Sequence, residues 1–165
     1  MTASNSHHRM NQLITQETRG TEVEHGCFYF GNWPPESDSD FPFDIEEPPD
    51  SLAHFTDTGI AVFSDCGDED NTARVEVLCY TRPPRKNRST EHVSGFFTIS
   101  SDELAVATLM MAPAEPIRAP YTGRVQVRVN RLPLKTEQEE IERDGDVYGV
   151  NEDWLIELWP ASPGT

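Results

Sequence analysis

Between Arg19 and Arg74 the chain contains no lysine or arginine, while residues 20–73 hold 14 Asp and Glu. A stretch without cations cannot cradle a nucleic-acid backbone, because affinity for phosphates rests on Lys and Arg contacts. Cysteine is scarce as well. Cys27, Cys66 and Cys79 are an odd number at no metal-type spacing, which excludes a disulfide framework and a thiolate zinc site and predicts free thiols. The longest uncharged apolar run, LAVATLMMAPA at 104–114, falls well short of the ~20 residues that a membrane helix needs. The opening MTASNSHHRMNQLITQETRG has no apolar core of the secretory kind, so the expectation is a soluble, cytoplasmic protein with no membrane partner. A P-loop, a dinucleotide fingerprint and a G-x-S-x-G elbow are all missing.

What is present is charge, arranged in blocks. The net charge is −16 over 165 residues. Residues 74–135 carry 10 of the 13 basic side chains against 5 acidic ones, and residues 136–165 return to −8. The order along the chain is acid, base, acid. Such a field disfavours nucleic acid and favours a basic protein as partner.

Apolar residues cluster in short blocks separated by Pro, Gly and acidic residues, as strands with turns between them do. The expected organisation is a flexible tail over 1–20, a single β domain over 21–161, and a C-terminal tail over 162–165. EVEHGCFYF (22–30) reads as a first strand. PPESDSDFPFDIEEPPD (34–50), with five prolines, reads as a long acidic loop, because Pro lacks a ladder donor. TGIAVFS (58–64) and ARVEVLCYT (73–81) read as a hairpin around DCGDEDN, followed by the basic loop RPPRKNRSTE and the strand HVSGFFTIS. SSDELAVATLMM (100–111) has a capping-box spacing that suits a helix, but Val106, Thr108 and its neighbours favour a strand.

GRVQVRVNR (123–131) alternates cleanly, with Val125, Val127 and Val129 inward and Arg124, Gln126 and Arg128 outward. KTEQEEIERDGD (135–146) reads as a charged connection with one helical turn. In DWLIELWP (153–160), Trp154, Ile156 and Leu158 share one face and Leu155, Glu157 and Trp159 the other. Trp154 is therefore expected in the core, with Trp159 covering an edge or meeting another surface. The fold class is all-β, an antiparallel β-sandwich or open barrel of about seven or eight short strands with a long acidic Pro-rich loop.

No catalytic residue, metal ligand or cofactor emerges. His25 and Cys27, two apart on a strand, stand about 6 to 7 Å from each other, too far for direct activation of the thiol. Asp65, Asp68 and Asp70 match neither an EF-hand nor a β-roll, so an exposed loop is the simpler account. Arg82, Arg85, Lys86 and Arg88, with Arg124, Arg128 and Arg131, could form a phosphate patch, but balancing the acidic segments within the molecule explains them more simply. The residues expected to meet a partner are Asp38, Asp40, Asp44, Glu46, Glu47, Asp50, Asp65, Asp68, Glu69, Asp70 and Trp159.

The strand VEHGCFYF, the internal GRVQVRV and the ending DWLIELWPA resemble a family of small bacterial β-proteins with an aromatic first strand and a Trp-Pro-Ala ending. More remotely, the succession of strands is similar to the competence protein J family, which inhibits a partner nuclease. That resemblance implies a small acidic inhibitor beside a basic enzyme. The functional expectation is a non-enzymatic protein that binds another protein, as inhibitor or immunity factor for a basic nuclease or toxin. The alternatives are a divalent-cation or small-ligand-binding sandwich, a possible enzyme, or a structural subunit of an oligomeric assembly.

Overall fold

The computed structural model describes residues 12–23, 26–34, 51–64, 71–85, 91–108, 115–134, 140–143 and 145–162. Among them are twelve strands. In chain order these begin with β1 (Leu13–Glu22), β2 (Cys27–Asn32), β3 (Ala53–Phe55) and β4 (Gly59–Phe63). Next come β5 (Thr72–Tyr80), β6 (Glu91–Ile99), β7 (Glu103–Ala107) and β8 (Ile117–Arg118). The last are β9 (Gly123–Leu132), β10 (Glu140–Arg143), β11 (Asp146–Gly149) and β12 (Glu152–Pro160).

Two five-stranded sheets face each other. The first has the order β1-β5-β12-β9-β6 and the second β3-β4-β2-β7-β8, while β10 and β11 form a separate two-stranded ribbon. The fold is all-β, with no closed barrel. Every pairing is antiparallel except β5 with β12, which run parallel. No helix of the described residues is long and apolar enough to cross a membrane.

Alternation builds the core. Val75, Val77 and Cys79 of β5, Val125, Val127 and Val129 of β9, and Trp154, Ile156 and Leu158 of β12 all point between the sheets and are buried. Phe28, Phe30, Ile60, Val62, Leu104 and Val106 answer from the second sheet. Trp154 is fully buried and meets Phe28 edge-on, with ring centroids 6.0 Å apart. At one end of the sandwich Asn32 staples the sheets together. Its amide nitrogen donates to the Thr58 and Thr98 carbonyls at 3.0 and 2.8 Å, and its oxygen accepts from the Ser100 and Ser101 amides.

Several expectations need correction. Residues 13–20 are not tail but most of β1, a polar strand whose inward positions are Thr15, Glu17, Arg19 and Thr21 opposite Cys79, Val77, Val75 and Ala73. Polar inward residues are tolerated there because β1 is an edge strand, where inward charges discourage pairing with other chains. The strand expected over 22–30 begins only at Cys27, after a break at Gly26 with φ of 74°. β4 and β5 do not form a hairpin, since β4 pairs with β2 and β3 while β5 pairs with β1 and β12 in the opposite sheet. A loop that long imposes no hairpin register, so burial of both strands decided their partners. The segment over 100–111 contains β7, as expected, and the charged connection expected over 135–146 contains β10, while residues 135–139, within the span of the expected helical turn, lie outside the described residues. Short strands such as β3, β8, β10 and β11 raise the count above the expected one.

Candidate functional site

Glu152 opens β12 on the core-facing side, in register with Ala73, yet it is a carboxylate and only 4% exposed. Its oxygens accept from Ser64 Oγ at 2.7 Å and Asn71 Nδ2 at 2.8 Å, and Asn71 Nδ2 also reaches Ser64 Oγ at 3.2 Å. Ser64 follows β4 in the second sheet, whereas Asn71 precedes β5 in the first. The three side chains therefore clasp the sheets at the end opposite Asn32, and they pin both ends of the acidic segment 65–70. Backbone bonds tighten the same corner: Ser64 N donates to Gly26 O at 2.8 Å and Val23 N to Asn71 O at 3.0 Å.

Asp153 comes next, pointing to the outer face. Arg74 grips it with both nitrogens, Nε donating to Oδ1 at 3.2 Å and Nη2 to Oδ2. Leu52 O accepts from Phe63 N at this same end, so the chain leaving the segment 35–50 arrives here too. Glu91 lies exposed at the start of β6. The ribbon β10–β11 rises beside these groups, with exposed Glu140, Glu142 and Asp146. This is the acidic end. At the other end exposed Arg82, Arg118 and Arg124 offset exposed Asp57, Asp102 and Glu103.

Midway along the outer face of the first sheet, Arg128 and Glu157 form a buried pair on adjacent strands. Arg128 Nε donates to Glu157 Oε2 at 2.6 Å, Asn130 Nδ2 donates to the same oxygen at 3.3 Å, and Arg128 also donates to Arg85 O at 3.2 Å. That last bond explains the burial. Arg85 belongs to the basic stretch that leaves β5 at Thr81, and its carbonyl lies over the pair. Outward parity was read correctly for Arg128, but not its exposure, which is only 2%.

Three arginines of β9 also lie over aromatic rings. Arg128 sits 5.6 Å from the Trp159 ring, Arg131 5.9 Å from Trp154, and Arg124 4.9 Å from Phe96. Nearby, burial first and the Glu157 charge second push the Tyr80 phenol up to about 12.

The expected partner-binding residues fare unevenly. Trp159 is 5% exposed, on the face opposite Trp154, and presents little surface to a partner. Asp38, Asp40, Asp44, Glu46, Glu47, Asp50, Asp65, Asp68, Glu69 and Asp70 lie outside the described residues, as do Cys66, His25, Lys86 and Arg88. The described residues at the ends of the two acidic segments are Pro34, Ser51, Ser64 and Asn71, the last three gathered at the acidic end. Cys79 is buried, and burial pushes its thiol up, away from nucleophilic reactivity. Among the described residues no group of three or more His, Cys, Asp and Glu could hold a metal ion. Sequence reasoning missed the clasp of Glu152, although a carboxylate at a core-facing position of an otherwise apolar strand is a visible signal.

The architecture defines a two-sheet β-sandwich with an acidic end and with Arg74 and Arg128 paired to carboxylates of β12. A solved structure with the same fold is that of ComJ from Bacillus subtilis, described as an inhibitor of the DNA-degrading activity of NucA. The two share 10% sequence identity at a TM-score of 0.62, over 90% of this chain and 98% of that one. No family model and no curated protein matches the sequence.

Proposed function

We propose that this chain is a non-enzymatic protein-binding module that captures a basic protein partner, a nuclease or toxin, at its acidic end and inhibits it. The observation that carries this is convergence: the clasp at Glu152, the ends of the acidic segment 65–70 and the acidic ribbon meet at one end of the sandwich. Likeness in fold to a nuclease inhibitor supports the same reading. Physically, a surface of one sign steers an oppositely charged protein and raises association rates by about 10 to 10³-fold.

The test is inhibition. The purified chain is titrated into basic nucleases, including any that co-purify with it from its native cell, and nucleic-acid cleavage is followed. Stoichiometric loss of cleavage is expected, and neutralising Asp65, Asp68, Glu69 and Asp70, or Asp38, Asp40, Asp44, Glu46, Glu47 and Asp50, should weaken it. Full cleavage in the presence of excess chain by every co-purifying nuclease would overturn the proposal.

A further inference from the structure

Within the acidic end the ribbon β10–β11 has two unlike faces. Its register pairs Glu140 with Gly149, Ile141 with Tyr148, Glu142 with Val147 and Arg143 with Asp146. Alternation then puts Ile141 and Tyr148 on one face, and both are half-buried. Ile141 packs on Gly20 of β1, where an added Cβ would lie 3.1 Å from the Ile141 side chain and 3.2 Å from the Glu142 carbonyl. Glycine at that position is what lets the ribbon approach β1 so closely.

The opposite face consists of Glu140, Glu142, Val147 and Gly149, all exposed. Val147 is 65% exposed, against 39 to 44% for the other exposed large hydrophobics, Leu13, Ile14 and Leu134. Among the described residues no ion pair engages Glu140 or Glu142. A two-stranded ribbon is marginal on its own, so a fold that holds one by a single face leaves the other available.

We infer that the outer face of this ribbon is the contact finger of the acidic end: Val147 enters an apolar recess on a basic protein while Glu140 and Glu142, on the same face, meet the cations around that recess. The inference rests on the proposed capture of a basic partner and names the surface that does it. Charge complementarity sets the class of partner, and Val147, directly opposite Glu142 across the ribbon, supplies the apolar contact that carboxylates alone lack. An apolar centre with a polar, solvated rim is the usual layout of an interface.

The test uses the full chain and two cationic probes, deca-lysine and a decapeptide of alternating lysine and valine, at low salt, with binding read from backbone amide shifts. The alternating peptide is expected to bind more tightly and to move the amides of residues 140–149 most. Val147→Lys and Gly149→Lys should each weaken that peptide about tenfold. Neither should alter thermal unfolding, because Val147 is exposed and a Cβ at Gly149 meets nothing within 4 Å. If both peptides bind equally, move amides elsewhere and ignore the two variants, the ribbon is not the contact although cationic capture stands. If neither peptide binds, the capture reading itself falls.

Discussion

Replacing Glu152 tests the link between the core and the acidic end. Glu152→Ala deletes the acceptor of the Ser64 and Asn71 bonds, at 2.7 and 2.8 Å, and leaves the buried Asn71 amide with only the Ser64 hydroxyl at 3.2 Å. Hydrogen bonds to a charged group contribute about 1.5 to 3 kcal/mol each, and no longer burying a carboxylate offsets part of that, so a net loss of about 2 to 4 kcal/mol is expected. Glu152→Gln should cost only ~1 kcal/mol, because the new amide still accepts from Asn71 and donates to the Ser64 hydroxyl, at neutral rather than charged strength. Urea unfolding followed by tryptophan fluorescence measures both, with an unchanged m-value expected. Hydrogen exchange should quicken at the Val23 and Ser64 amides, whose bonds to Asn71 and Gly26 depend on the clasp. Equal losses in the two variants, or a loss below about 1 kcal/mol in Glu152→Ala, would refute the clasp.

Three further outcomes are expected. Trp154→Ala should destabilise by ~3 to 5 kcal/mol and Trp159→Ala by less; denaturant midpoints in the reverse order would show that the outer-face tryptophan matters more to the core. Removing either partner of the Arg128–Glu157 pair should cost ~3 to 5 kcal/mol, while replacing both with apolar residues of similar volume costs less; a double-mutant cycle without coupling contradicts the buried pair. Tyr80 has a folded-state pKa of about 12, raised from 10.0, so the stability it confers is intact below pH 10.0 and fades as pH rises toward 12. A phenolate absorbance titration in which all tyrosines ionise together near the ordinary value would remove that account.

How much of this was legible in the sequence depended on whether a residue's neighbours are local. Val125, Val127 and Val129, and Trp154 with Ile156 and Leu158, sit where alternation places them, because a buried face filters one residue in two regardless of the strand's partner. The parallel pairing of β5 and β12 left no local trace, since register across nearly eighty residues is fixed by the core as a whole. β1 was missed because its inward side carries Thr15, Glu17, Arg19 and Thr21, so its pattern contains no apolar alternation. Arg128 and Glu157 were assigned the right face and the wrong environment. Arg85, from the stretch that follows β5, lies over them with its carbonyl on Arg128, a long-range contact that parity cannot express. At the candidate site, the blocks of charge announced an acidic surface, but the Glu152 clasp that anchors one of them depends on residues 64, 71 and 152 meeting in space.

The most direct test of capture at the acidic end is the association rate between this chain and the basic partner that co-purifies with it, measured by stopped flow as ionic strength rises from about 0.02 to 0.5 M. Electrostatic steering predicts a rate that falls at least tenfold across that range, and a much shallower dependence once Asp65, Asp68, Glu69 and Asp70 are neutralised. A rate indifferent to salt in the native chain would contradict it.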